Sequence, residues 1–302
     1  MIYGIDIGGT KIEIAVFDSD LALRDRWRIT TPQGDYDALL DAIIRLIAEA
    51  DIRFGSEAAI GLGIPGLIDG QGRSLSANIP AANGHRVAVD IARRTGRTIV
   101  SENDCRCFAI SEAVGGAGTG FDTVFGAILG TGAAGGLVSQ GRLLRGRQGI
   151  AGEYGHLPLP AALAERYELP LRKCGCGLPA CVESYVAGPG LTWLGRHHGA
   201  DYRDVPSLAA AWRSGDTAAL AARDCFLDIL GATFANVTMM VDPDVIVLGG
   251  GLSLLDDLVP LIPTAITHHL FAGFPAPAVV PARFGDASGA RGAAILAWQT
   301  TL

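Results

Sequence analysis

Short apolar runs separated by glycine-rich turns dominate the chain. "GIDIGGTKIEIAVFD", from Gly4, and "GAILGTGAAGGLVSQ", from Gly126, each read as an apolar run, a Gly/Thr turn and a second apolar run. That pattern predicts a β-hairpin with a glycine-rich tip. The two segments align without gaps at an offset of 122 residues, which suggests a duplicated domain. Between them, "DYDALLDAIIRLIAEADIRFG" places Leu39, Leu40, Ile43, Ile44 and Ile47 on one helical face, with Asp35 as cap and Gly55 as stop. "AAIGLGIPG" and "RTIV" read as buried strands, and "NDCRCFAISEA" opens a helix at its acidic end. The second half predicts a long helix from about Asp216 to Met240, the strand "VIVLG", the turn "GGGLS" and a final small-residue helix around "GARGAAILAWQ". Alternating β and α elements of this kind predict α/β layers.

With 302 residues the chain can hold one large domain or two medium ones, and the glycine-rich stretch Gly115–Gly120 is the candidate boundary. The 41 glycines point to tight turns and to places where backbone closely approaches a ligand. A net charge of −7 gives no basic footprint for nucleic acid or an anionic membrane. "MIYGIDIGGT" lacks the basic and apolar regions of a signal peptide. No uninterrupted apolar run reaches the ~20 residues of a spanning helix. The cytoplasm is therefore the expected compartment, where stable disulfides are rare.

Three features carry candidate chemistry. "DIGGTK" lacks the spacing of a P-loop. Its turn nevertheless offers backbone N–H groups and a hydroxyl to phosphate oxygens, with Lys11 nearby and Asp6 placed to hold a Mg²⁺ hydration shell. A plain hairpin turn with a solvated lysine explains the six residues equally well, but the partner turn "GTGAAGG" and Gly249–Gly251 favour a nucleotide. Secondly, Cys174, Cys176 and Cys181 with His156 form a Cys₃His set fit for a tetrahedral structural Zn²⁺. A disulfide or reduced core thiols are the alternatives. Thirdly, Asp104 directly precedes a helical run, where an N-cap is the plainer role for an aspartate.

DIGGTK, GIPG (Gly63–Gly66), END (Glu102–Asp104), GTGAAGG, GEYGH (Gly152–His156), CGCGLPACVE and the late GGGLS occur in the order found in the ROK family of sugar kinases. The chain resembles that family, a member of the actin/hexokinase ATPase superfamily, over essentially its full length. "ANIPAANG", "LPLRKCGCG" and the insertion between His156 and Cys174 most resemble its branch of bacterial N-acetyl-D-glucosamine kinases. The resemblance implies an α/β fold of two actin-like lobes with duplicated β-sheet domains and a structural zinc loop. A small lobe is expected over 1–117, joined by a C-terminal helix at about 287–302, and a large lobe over 118–286, with the sugar in the cleft.

Asp6, Gly8, Gly9, Thr10, Lys11, Gly130, Thr131, Gly132, Gly135, Gly136, Gly249, Gly250 and Gly251 are implied as contacts to ATP and its Mg²⁺. Gly66, Asn78, Asn103, Glu153, His156 and Glu183 are implied as sugar contacts, and Asp104 as the base that accepts the 6-hydroxyl proton of N-acetyl-D-glucosamine. Glucose, fructose and N-acetylmannosamine are the alternative hexoses. A homodimer is implied, and no nucleic-acid or membrane partner. The family also includes sugar-responsive repressors, but the first hairpin begins at Ile2, which leaves no room for a preceding helix-turn-helix. The chain departs from the family pattern at Ala180, where glycine is usual, and at Cys105 and Arg106, where a small residue and asparagine are usual. Cys105 and Cys107 read as small buried hydrophobes. Arg106 has two places to go, Glu102 or the cleft.

Overall fold

The computed structural model describes residues 1–55, 58–76 and 78–301. Ala77, the first residue of "ANIPAANG", and Leu302 lie outside them. In chain order the strands are β1 (Ile2–Ile7), β2 (Lys11–Phe17), β3 (Leu23–Thr30), β4 (Ala59–Ile64), β5 (Leu67–Ile68), β6 (Ser74–Leu75), β7 (Ile99–Asn103), β8 (Thr123–Leu129), β9 (Ala133–Ser139), β10 (Arg142–Leu144), β11 (Val245–Gly249) and β12 (Ala278–Pro281). The helices are α1 (Tyr36–Phe54), α2 (Val87–Thr95), α3 (Asp104–Ala113), α4 (Ala161–Arg166), α5 (Glu183–Val186), α6 (Gly188–His197), α7 (Val205–Arg213), α8 (Thr217–Val241), α9 (Ile262–Thr267) and α10 (Ser288–Gln299).

The chain divides into two compact units. The first comprises Met1–Thr119, Gly136–Ala151 and Phe284–Leu302; the second comprises Gly120–Gly135 and Gly152–Arg283. The stretch 136–151, expected with 118–286, packs instead with the first unit.

One sheet has the order β3-β2-β1-β4-β7. Its β1–β2–β3 meander is antiparallel, and β4 and β7 add in parallel. Buried residues of β1, β2 and β4 pack against Leu39, Leu40, Ile43, Leu46 and Ile47 of α1. Asp35 caps α1 by accepting from the backbone N of Ala38, and Gly55 closes it at φ 93°. Ile44 is only partly buried, at the edge of that core. Against the sheet's other face lies α10, approaching so closely that a Cβ on Gly4 or Gly61 would sit 1.8 or 1.9 Å from the carbonyl oxygens of Ala290 and Ala293. Helix and strands meet backbone to backbone there, which only glycine permits.

The other sheet has the order β10-β9-β8-β11-β12, with β8, β11 and β12 parallel. In the second unit α8 spans 25 residues and packs against α6, α7 and α9. By length and composition α8 could cross a membrane, but Arg223, Asp224 and Asp228 interrupt its apolar run and 67% of its most apolar window is buried within the protein.

Candidate active site and metal centre

In the first unit, Asp6 lies near the end of β1, directly opposite Glu13 of β2, which in turn faces Arg28 of β3. The turn after β1 is closed by Gly8 N donating to Lys11 O at 2.8 Å. It is propped from beyond β3: Thr31 Oγ1 donates to Gly8 O at 2.7 Å and Gln33 Nε2 to Gly9 O at 2.6 Å. Asn78 lies against the same turn, its carbonyl oxygen 2.8 Å from where a Cβ on Gly9 would stand. A cavity of about 220 Å³ opens here, lined by Asp6, Gly8, Lys11, Glu13, Arg28 and Asp286 among others. Burial, then the charges of Asp104, Glu13 and Asp286, push the Asp6 carboxyl up to about 7 against the pull of Lys11. Glu13, Arg28 and Asp286 were not singled out in the sequence. The first two had a signal in the period-2 alternation that puts them on the strand face shared with Lys11 and Asp6.

Asp104 is the first residue of α3, and the cap is its neighbour: Asn103 Oδ1 accepts from the backbone N of Cys105 and Arg106. The capping role expected for Asp104 is thus filled by Asn103. Asn103 Nδ2 donates to Gly66 O at 2.7 Å and to Asp104 Oδ1 at 2.9 Å, which joins "GIPG" and "END" in one constellation. Asp104 Oδ1 also accepts from Cys105 N, so Oδ2 is the oxygen not engaged in these bonds. Burial raises the Asp104 carboxyl, partly offset by those donors, giving a better proton acceptor than an ordinary aspartate. Cys107 is fully buried, Cys105 only partly, and Arg106 turns to Glu102.

In the second unit, the turn after β8 is closed by Gly130 N donating to Gly132 O at 2.9 Å. Gly250, at φ 82°, lies against the end of β8, bringing the turns at Gly130 and Gly249–Gly251 side by side. Gly135 and Gly136 do not belong to the tip. They lie in β9, where a Cβ would collide with Gly126 O at 2.3 Å and with the Ala109 Cβ at 2.8 Å, so packing accounts for both.

Tyr154 is buried and donates to Ile128 O at 2.7 Å, while a Cβ on Gly155 would stand 1.9 Å from Ala133 O. These two residues pin "GEYGH" beneath the turn and aim His156 at the cysteine loop. There Cys174 N donates to Leu178 O and Gly177 N to Cys174 O, with Gly177 at φ 94° and Ala180 at φ 56°. The ligand atoms of His156, Cys174, Cys176 and Cys181 all lie within 4.8 Å of one another. Cys174 Sγ is 3.8 Å from His156 Nδ1, and Cys176 Sγ is 3.5 Å from Cys181 Sγ. Four ligands at Zn–S and Zn–N lengths would span tetrahedron edges of about 3.5–3.8 Å, so the set fits such an ion. Burial raises the Cys174 thiol and pushes Cys181 up to about 12, whereas the backbone N–H of Leu178 lowers Cys176. A dication would reverse the first two. Glu183, at the start of α5, accepts from Ala133 N at 2.9 Å through Oε2, and Cys174 Sγ approaches Oε1 at 3.6 Å. It joins the metal loop to the turn.

The model of the ROK family matches residues 2–300. The chain is 46% identical to the N-acetylgalactosamine kinase AgaK of Shewanella sp. (strain ANA-3) over 296 residues, covering 98% of this chain and 96% of that one. It is 42% identical to the N-acetyl-D-glucosamine kinase of Escherichia fergusonii over 299 residues, covering 98% and 99%. Among solved structures it is similar to the ROK hexokinase of Thermus thermophilus, with 30% identity, a TM-score of 0.89 and coverage of 99% and 98%.

Proposed function

The chain belongs to the ROK family, and we propose that it is an ATP-dependent sugar kinase that phosphorylates the 6-hydroxyl of N-acetyl-D-glucosamine, giving N-acetylglucosamine 6-phosphate and ADP. The observation that carries this reading is the constellation of Gly66, Asn103 and Asp104, in a chain whose relatives at 42% and 46% identity are both named as kinases of N-acetylhexosamines.

Asp104 Oδ2 accepts the 6-hydroxyl proton as that oxygen attacks the γ-phosphorus in line. The bond to the departing ADP breaks largely before the new one forms, so the base is asked for little basicity, and positioning matters more. Asn103 supplies that positioning. In the first unit, the Gly8–Thr10 turn and Lys11 are assigned to phosphate oxygens, and Asp6 to the Mg²⁺ that accompanies ATP. A cation held there would offset the burial and the neighbouring carboxylates that raise Asp6. In the second unit, Gly130–Gly132 and Gly249–Gly251 are assigned to the nucleotide.

His156, Cys174, Cys176 and Cys181 would hold a structural Zn²⁺ through Nδ1 and three thiolates. All four positions are then protein ligands, and no reaction step passes through the ion. The histidine's Nε2 is left as an oriented partner for a sugar hydroxyl, and Glu153 and Glu183 sit in segments braced by the same loop. A homodimer is the expected state by family resemblance, and the cytoplasm is the expected compartment.

N-acetylgalactosamine is the second reading, favoured by the 46% identity to AgaK. ADP release with ATP·Mg²⁺ and N-acetylglucosamine, N-acetylgalactosamine, N-acetylmannosamine, glucose and fructose separates the two. A lead for N-acetylglucosamine of tenfold in kcat/KM, about 1.4 kcal/mol of transition-state binding, supports the first. A lead for its C4 epimer replaces it, and no turnover on any hexose sinks both.

A further inference from the structure

Arg106 departs from the family pattern within the first turn of the helix that begins with the base. Its side chain is 1% exposed, among the most completely buried in the protein. A guanidinium so buried must be paired, and the way it is paired is informative. Nη1 lies 3.3 Å from Glu102 Oε1, and Nε donates to Ala151 O at 3.1 Å. Glu102, itself 7% exposed, accepts from Asn103 N at 2.9 Å through Oε1 and from Arg145 Nε at 2.5 Å through Oε2. The ion pair therefore straddles Asn103 and Asp104 in sequence, and with Arg145 it grips the segment 145–151 near both of its ends. Ala151 is the last residue before the chain runs on to Gly152 and Glu153.

The same helix holds the other places where the chain leaves the first unit. Gly136 packs on Ala109 and Arg106. Glu112 accepts from Ala117 N at 3.1 Å and from Phe284 N at 2.8 Å.

We propose that Arg106, with Glu102 and Arg145, is a positioning device for the phosphoryl transfer, fixing Asn103 and Asp104 against the segment 145–151 through which the chain passes to Glu153. An asparagine at 106, the usual family residue, is too short to reach both Glu102 and Ala151 as Arg106 does. The role of Arg106 is to act through Asp104, not to touch the sugar. This inference rests on the kinase reading above.

The test compares wild type, Arg106→Asn and Arg145→Gln. Arg106→Asn leaves Glu102 paired with Arg145, and Arg145→Gln leaves it paired with Arg106. The expected result is a kcat at least tenfold lower for Arg106→Asn and at least threefold lower for Arg145→Gln. Both KM values should stay within threefold, and amide exchange of residues 145–151 should be faster in Arg106→Asn. A lowered Tm with unchanged kcat per folded enzyme would reduce the network to a structural ion pair and overturn the proposal. A wild type that turns over no hexose removes the kinase reading. The exchange experiment then decides: faster exchange in Arg106→Asn sustains the clamp, and unchanged exchange abolishes it.

Discussion

The two sheets share one plan and differ at their tips. β3-β2-β1-β4-β7 and β10-β9-β8-β11-β12 have the same order, with a glycine-rich turn between the central strand and its hairpin neighbour in each. In the first, the turn sits beside carboxylates that repel one another: Asp6 faces Glu13 across the hairpin and feels Asp104 and Asp286. In the second, Glu183, which lies against Gly132, is already bonded to the backbone N of Ala133 and tied to the cysteine loop. A duplicated backbone has thus acquired two electrostatic characters. One turn faces carboxylates that burial and mutual repulsion leave unrelieved, whereas the carboxylate against the other is already hydrogen-bonded. Backbone order sets where a turn lies, and the side chains behind it set what the turn can do.

The largest expected effect comes from the charged half. Asp104→Asn keeps an acceptor for Asn103 Nδ2 and Cys105 N but removes the base. Turnover should fall by about 10³ or more, with circular dichroism and metal content unchanged. Near-normal kcat would mean that positioning alone drives transfer, and the contrast between the two halves would lose its catalytic meaning.

Next comes the braced half. Cys181→Ser, or prolonged chelation, should release one equivalent of zinc, measured by a colorimetric chelator. It should raise the sugar KM by about tenfold or more, since outer partners of metal sites typically matter at that level. The ATP KM should stay within about twofold. If ATP KM rose and sugar KM did not, the loop would support the nucleotide instead.

Much of this was legible beforehand, for identifiable reasons. Hairpins, α1 with its Asp35 cap and Gly55 stop, and the Cys₃His set each leave a local signal in residue type and spacing. What stayed hidden depends on partners distant in sequence. Gly135 and Gly136 look like more of the same glycine-rich tip, yet they are glycine because Gly126 and Ala109 lie against them. Asp286 reaches Asp6 only because α10 returns to the first sheet. Asp104 reads as the cap from its place before the helical run, yet the backbone starts the helix at Asp104 itself and leaves the cap to Asn103. Segment 136–151 carries no composition shift to betray that it packs with residues far upstream.

A third, smaller effect sharpens the contrast through pH. The Asp6 carboxyl titrates at about 7 in the folded protein, against an ordinary 3.8. Between those values the folded protein retains a proton that the unfolded chain has released, so stability falls as pH rises through that window, and the full penalty is present above it. Three pK units correspond to at most about 4 kcal/mol in the nucleotide-free protein. Asp6→Asn should therefore raise the apo Tm at pH 8 and change it much less at pH 5, while abolishing ATP·Mg²⁺ turnover. A variant less stable than wild type at pH 8 would show that Asp6 is held as a satisfied anion, and the two tips would then be electrostatically alike.

The smallest effect tests how rigid the braced half is. Ala180 holds φ 56° between Pro179 and Cys181, a left-handed conformation that strains any residue with a Cβ by roughly 1–2 kcal/mol. The turn is nevertheless fixed on both sides, Ala180 N donating to Arg172 O at 2.7 Å and Ala180 O accepting from Leu159 N at 2.8 Å. Glycine would relieve the strain but gain about 0.5–1 kcal/mol of freedom in the unfolded chain. Ala180→Gly should thus raise the Tm of the metal-loaded protein by only about 1–3 °C. After chelation the gain should vanish, because a loop without its ion no longer enforces the strained angle. A gain that persists after chelation would show that the bonds to Arg172 and Leu159, rather than the metal, impose the turn.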